Sequence, residues 1–142
     1  MAKKVNKKSL TRSASKILVI DDDASLRMLL EIMLKQHYQV ITVENGYEAL
    51  FWLENNEIPD LIIADINMPR IDGIKFINHL KKSGYYRNIP VIVLSGHYDV
   101  DIKSKCHESG IKDFMVKPFN PSELSNKINS ILTSEKAKIK YA

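Results

Sequence analysis

Asp65 follows Leu61-Ile62-Ile63-Ala64, an apolar run with no polar alternation, and Pro69 and then Asp72-Gly73 break the chain beyond it. An ionisable side chain delivered by a buried run is costly to place unless something pairs with it. The arrangement recurs three times more. Ile17-Leu18-Val19-Ile20 delivers Asp21-Asp22-Asp23, Val91-Ile92-Val93-Leu94 delivers Ser95, and Phe114-Met115-Val116 delivers Lys117. Gathered in one place, Asp21, Asp22 and Asp65 would repel one another and raise one another's pKa unless a cation intervened. Carboxylates, a backbone carbonyl and water are the oxygen ligands preferred by a hard divalent cation such as Mg²⁺. A metal beside a lysine ammonium makes a site for a tetrahedral dianion, the phosphoryl group, and Asp65 can then serve as the nucleophile. The bland alternative for Asp65 is a helix or turn cap. What separates the two is whether the other residues converge on it.

Convergence depends on the elements that carry these residues. Unalternated apolar runs mark parallel strands covered on both faces, and Gln39 to Val43 adds a β-branched fifth. A helical pattern follows each strand. After Asp23, a helix cap, the stripe is Leu26, Leu29, Leu30, Met33 and Leu34. Asn45 with Glu48 three residues on opens the second helix as a variant capping box. It turns Ala49, Leu50 and Leu53 inward and leaves Phe51 and Trp52 at the margins. The third, after Gly73, buries Ile74, Ile77 and Leu80 and stops at Ser83-Gly84. The fourth, Tyr98 to Glu108, is the weakest, with only Ile102 and Cys106 in clear register. Asn120 caps the last, with Pro121 at its first position, Glu123 at its third and the stripe Leu124, Ile128, Ile131, Leu132. Strict alternation of this kind predicts an α/β fold, a doubly wound five-stranded parallel sheet with five helices. The strand ends bearing Asp21, Asp22, Asp65, Ser95 and Lys117 meet if the strands take the flavodoxin-like order 2-1-3-4-5, in which ligands bind at the carboxyl ends.

The bulk properties agree with one domain. The chain has 142 residues and one cysteine, Cys106, which excludes an internal disulfide and a cysteine-cluster metal site and suits a reducing compartment. No apolar run approaches the length of a membrane span, and the Lys-rich start lacks the apolar stretch of a secretory signal. A cytoplasmic protein with no membrane partner is expected. The net charge of +4 belongs to the ends: Lys3, Lys4, Lys7, Lys8 and Arg12 come before the first strand with no acid among them, and Lys136, Lys138 and Lys140 follow the last stripe. The body between is mildly acidic. The basic start has no aromatic residue to stack on a base, so nucleic acid is not expected as a partner. The organisation read from this is a basic disordered tail over 1–15, a folded body over 16–133 and a short tail over 134–142.

The motifs, in this order, closely resemble the receiver domain of bacterial two-component response regulators. The resemblance covers about residues 16 to 133 and rests on Ile17-Leu-Val-Ile-Asp21-Asp22-Asp23, on Asp60 to Gly73, on Ile89-Pro90 through Ser95-Gly96, and on Gly110 through Lys117-Pro118-Phe119. It implies that Asp65 is the phosphoacceptor, that Asp22 ligates Mg²⁺ directly, and that Asp21 helps hold the metal, largely through water. The backbone carbonyl of Asn67 would complete the ligation. Ser95 would hydrogen-bond one phosphoryl oxygen, Lys117 would pair with another, and the Lys117-Pro118 bond would be cis. Phe114 stands at an aromatic switch position where Tyr is often found, and His97 where the side chain often influences dephosphorylation. Gly96 departs from the commoner Ala and would loosen the loop after it. His37, His79 and His107 read as surface positions. The upstream partner so implied is a sensor histidine kinase or a histidine phosphotransfer protein, and the downstream partner an unidentified protein target. No enzyme is expected beyond promotion of its own phosphotransfer and slow dephosphorylation. Nine residues after Thr133 leave no room for an output domain, so a stand-alone receiver is expected.

Rival chemistries fit less well. A haloacid-dehalogenase-like phosphatase needs a second Asp two residues after its nucleophile, and Asn67 stands there. A flavin-binding module needs a Ser/Thr/Gly-rich phosphate loop after the first strand, where Asp21-Asp22-Asp23 would repel the phosphate. No Gly-x-x-x-x-Gly-Lys-Ser/Thr occurs for a P-loop. A receiver-like fold that is never phosphorylated would have no use for the full set of acceptor and metal residues present here.

Overall fold

A computed structural model of the chain describes residues 14–66, 73–96 and 100–141, with side chains in the last helix described as far as Glu135. The elements alternate as β1 (Lys16–Ile20), α1 (Ala24–Leu34), β2 (Gln39–Val43), α2 (Gly46–Asn55), β3 (Leu61–Asp65), α3 (Gly73–Lys82), β4 (Val91–Ser95), α4 (Val100–Glu108), β5 (Asp113–Val116) and α5 (Pro121–Tyr141). All strand pairings are parallel, and the sheet order is β2-β1-β3-β4-β5, as the sequence predicts.

The two-residue period of a strand divides the core between two faces. Leu18, Ile20, Ile62, Ala64, Val91 and Val93 pack with Leu53 of α2, Phe76, Ile77 and Leu80 of α3, and Cys106 of α4. Ile17, Val19, Leu61, Ile63, Ile92 and Leu94 pack with Leu30 and Leu34 of α1 and with Leu124, Ile128 and Leu132 of α5. Both faces are covered, which is why β3 and β4 are buried at every residue and read as continuous apolar runs.

Local chemistry sets the helix starts. Asp23 Oδ1 accepts from the amides of Ser25 and Leu26, Asn45 Oδ1 from Glu48, and Asn120 Oδ1 from Ser122 and Glu123. The Glu48 carboxylate reaches the amide of Glu44 at 2.9 Å, one residue beyond the usual capping-box target. Gly73 opens α3 because only a hydrogen fits there. An added Cβ would lie 2.6 Å from Ile66 Cα and 2.7 Å from its carbonyl oxygen. The Gly73 amide donates to that same oxygen at 3.2 Å, drawing the start of α3 against the exit of β3.

Three expectations are corrected. Leu29 is 50% exposed, with Met28 and Ile32 beside it at 62% and 53%. At about 100° per residue, Leu29 lies too far round the helix from Leu30 and Leu34 to reach the sheet. Phe51 is not marginal but exposed, whereas Trp52 is half-buried, with Lys16 Nζ 5.9 Å above its ring. The last helix runs past Thr133 to Tyr141. Its apolar stripe ends at Leu132, but the Glu, Lys and Ala that follow are good helix formers. The Lys117-Pro118 bond is cis. Residues 1–13 of the predicted tail, Asn67, Pro69, Asp72, His97 and Tyr98 lie outside the described residues.

Candidate functional site

The strand order places the exits of β1, β3, β4 and β5 side by side, and the predicted residues meet there. Asp21 follows β1 and is 1% exposed; Asp65 ends β3 at 4%; Ser95 ends β4 fully buried. Asp22 is exposed and opens the cluster to solvent. Carboxylate oxygens of Asp21, Asp22 and Asp65 all lie within 4.8 Å of one another. Lys117, just past β5, brings Nζ to 3.1 Å from Asp21 Oδ2 and 3.2 Å from Asp65 Oδ2. Its main-chain amide donates to the Ser95 carbonyl at 2.6 Å, so the base of the lysine is fixed by the strand that carries Ser95.

Every polar group of Asp21 is engaged. Its amide donates to the Val43 carbonyl at 3.2 Å, and Oδ1 accepts the Asp23 amide at 2.9 Å. Oδ2 accepts from Lys117, and the main-chain carbonyl accepts Arg27 Nη1 at 2.6 Å. Burial, with the Asp65 charge second, pushes the Asp21 carboxyl above the ordinary range, against the pull of the Asp23 amide and the Lys117 ammonium. Burial also works to lower Lys117, but attraction by Asp21 and Asp65 overcomes it and the ammonium is raised. Three carboxylates around one ammonium leave an excess of negative charge on an all-oxygen donor set. That donor set fits a hard divalent cation.

Phe114 lies outside the acidic cluster. It is half-buried in β5, opposite Val93 in register, and packs against the core face shared with Cys106 and half-buried Ile102. Ser95 lies two residues beyond Val93 and so turns to the same side of the sheet. Phe114 and Ser95 are thus diagonal neighbours on adjacent strands. His37, His79 and His107 are exposed, as expected.

Two features escape sequence reasoning. Arg27 and Glu44 form an ion pair at 3.3 Å beside the first strand exit. The only trace in the sequence is a cation in the first turn of a helix, where the helix dipole disfavours it. The exposed patch of Met28, Leu29 and Ile32 was hidden by apolar periodicity, which counts Leu29 as core.

Comparisons with known proteins accord with this geometry. Residues 17–129 match the family model described as the response regulator receiver domain. A probable transcriptional regulator, ycf27, of Porphyra purpurea is 41% identical over 118 residues, covering 82% of this chain and 47% of that protein. The chain spans about half the length of the curated relatives of this kind that it matches. The signal receiver domain of a signal transduction histidine kinase from Syntrophus aciditrophicus superposes with a TM-score of 0.79 at 34% identity, over 85% of this chain and 92% of that one. Chemotaxis protein CheY4 of Vibrio cholerae gives 0.78 at 29% identity, over 84% and 99%. No helix among the described residues is long and apolar enough to cross a membrane.

Proposed function

The chain belongs to the response regulator receiver domain family, and from that premise we propose that it accepts one phosphoryl group on Asp65, with Mg²⁺, and signals by protein–protein contact. The observation that carries the proposal is the meeting of Asp21, Asp22, Asp65 and Lys117 at the strand exits. Residues 16–133 form the receiver unit in this proposal. The donor is a sensor histidine kinase or a histidine phosphotransfer protein.

In the transfer, an Asp65 carboxylate oxygen attacks phosphorus. The O–P bond forms as the P–N bond to the donor histidine breaks, and the ring nitrogen leaves with the bonding pair. Mg²⁺, bound by Asp21, Asp22, Asp65 and the main-chain carbonyl of Asn67, would neutralise and polarise the phosphoryl oxygens. Lys117, freed from the Asp65 carboxylate, pairs with one phosphoryl oxygen, and the Ser95 hydroxyl donates to another. The product is a covalent mark on the protein itself, so the chain acts as a regulator that promotes its own phosphorylation and slow dephosphorylation.

The exposed patch of Met28, Leu29 and Ile32 begins two turns or less from Asp22 and supports docking of the donor along α1. Readout is assigned to the face of α4, β5 and α5, where Ser95 and Phe114 connect the site to α4. The test is the mass of the protein after treatment with a small phosphodonor. A Mg²⁺-dependent gain of one phosphoryl group is expected, absent in Asp65→Asn. Comparable labelling of that variant would remove Asp65 from the role.

A further inference from the structure

Three carboxylates within 4.8 Å of one another must be held against their own repulsion. From inside the site, Lys117 does part of this. From outside, the Asp21 peptide is gripped at both ends, its amide on the Val43 carbonyl and its carbonyl under Arg27 Nη1. Arg27 stands fourth in α1, so its charge opposes the dipole of its own helix. Its two hydrogen-bonded partners compensate. Nη2 lies 3.3 Å from Glu44 Oε1, and the Glu44 amide is itself fixed by Glu48 Oε1. The guanidinium side chain is 16% exposed, and its carboxylate partner 61%.

We infer that Arg27 is a positioning residue for the acidic site, clamping the Asp21 peptide so that Asp21 and Asp22 are already set for a divalent cation. A planar guanidinium suits the task because it donates in two directions at once, to a carbonyl and to a carboxylate. Arg27 touches neither Asp65 nor any transferred group. It acts through the main chain of Asp21, in the way that outer hydrogen bonds orient metal-binding side chains. The capping residue Glu48 is thereby linked, through Glu44 and Arg27, to the geometry of the site. This inference rests on the proposal that the cluster takes Mg²⁺.

The test is Mg²⁺ titration calorimetry on the full chain, for wild type, Arg27→Met, Arg27→Lys and Glu44→Gln, at a temperature where each is folded. Arg27→Met is expected to weaken Mg²⁺ by about tenfold. Arg27→Lys recovers part of the loss, since a single nitrogen on a shorter side chain cannot span the carbonyl and the carboxylate that Nη1 and Nη2 reach separately, and Glu44→Gln weakens binding less because the bond to Asp21 survives. A purely structural arginine would lower the melting temperature and leave the Mg²⁺ dissociation constant unchanged, and that result overturns the inference. Should Arg27→Met not fold, Arg27→Lys and Glu44→Gln carry the test, and wild-type affinity in both counts against it. Wild type that fails to bind Mg²⁺ defeats the metal proposal and this inference together. Wild type that binds normally, with Arg27→Met equal to it, defeats the inference alone. A metal-free readout is hydrogen exchange of the Asp23 amide in chelator, which should quicken in Arg27→Met; an unchanged rate shows that the loop does not depend on Arg27.

Discussion

Lys117 Nζ stands 3.1 Å from Asp21 Oδ2, joining the exit of the last strand to the exit of the first across the two strands between them. The ammonium occupies part of the role a metal would take, so its removal separates two functions. In Lys117→Met the carboxylates lose their only nearby ammonium among the described residues. Mg²⁺ affinity should hold or rise, while labelling by a small phosphodonor should slow at least tenfold. Without metal, stability should fall by about 2 kcal/mol, less than the ~3–5 kcal/mol for breaking a fully buried pair, because Lys117 is 24% exposed. Calorimetry, labelling rates and melts in chelator check the three parts.

Mg²⁺ should stabilise the unphosphorylated protein. Binding to the native cluster and not to the unfolded chain gives about 1–3 kcal/mol at saturating metal. Melts with and without millimolar Mg²⁺ measure it, and Asp22→Asn should remove most of the difference. A melting temperature indifferent to the metal would falsify the metal assignment.

Gly73→Ala should cost about 1–3 kcal/mol. The new methyl meets Ile66 main-chain atoms at 2.6–2.9 Å, and backbone cannot step aside as a side chain can. Because Ile66 directly follows Asp65, the shift should also slow phosphodonor labelling. Gly84→Ala, with nothing within 4 Å of the added carbon, is the control and should be near neutral.

Leu29→Glu should leave the fold and small-molecule labelling intact, since Leu29 is half exposed and lies outside the acidic cluster. Transfer from a protein donor should fall several-fold or more. Unaltered transfer from that donor would place docking elsewhere.

These cases show where sequence suffices. β1, β3 and β4 are legible because burial erases alternation along them, β2 at the edge only by its β-branched residues, and the site follows because β1, β3, β4 and β5 each deliver a polar residue at or just past their ends. Asp21, Asp65 and Lys117 are legible as partners in the sequence because charge at a buried strand end demands a partner. Leu29 reads as core in the sequence but is half exposed, because periodicity records which residues are apolar, not how wide a stripe the sheet can cover. The clamp of Arg27 on the Asp21 carbonyl left almost no trace because a main-chain acceptor has no residue type. α5 runs to Tyr141, past the Thr133 end that its apolar stripe suggests, because the Glu, Lys and Ala after Leu132 favour helix by intrinsic propensity, on which hydrophobic pattern is silent.

The last expectation concerns how the mark is read. Cys106 is the only α4 side chain fully buried among the described residues, with Ile102 half-buried above it. Ser109, just past the helix, donates to Asn78 of α3 at 2.5 Å. Burial raises the Cys106 thiol above its ordinary value of 9.0. The thiol's contribution to stability is therefore full below pH 9.0 and is lost as pH rises from there towards the native pKa. Relative to Cys106→Ala, the wild-type chain should lose stability only on that alkaline side. At neutral pH the thiol reports on α4, because a reagent reaches it only when the helix lifts. If phosphorylation draws Ser95 towards a phosphoryl oxygen and Phe114 turns into the space behind it, α4 must adjust. A coupling of about 1–3 kcal/mol changes the rate of thiol modification several-fold or more. The measurement is the modification rate of Cys106 with and without a beryllofluoride phosphoryl mimic and Mg²⁺. Equal rates, with the mimic shown to be bound, would mean that the signal leaves by another face, and a full change in Ser95→Ala would show that Ser95 does not carry it.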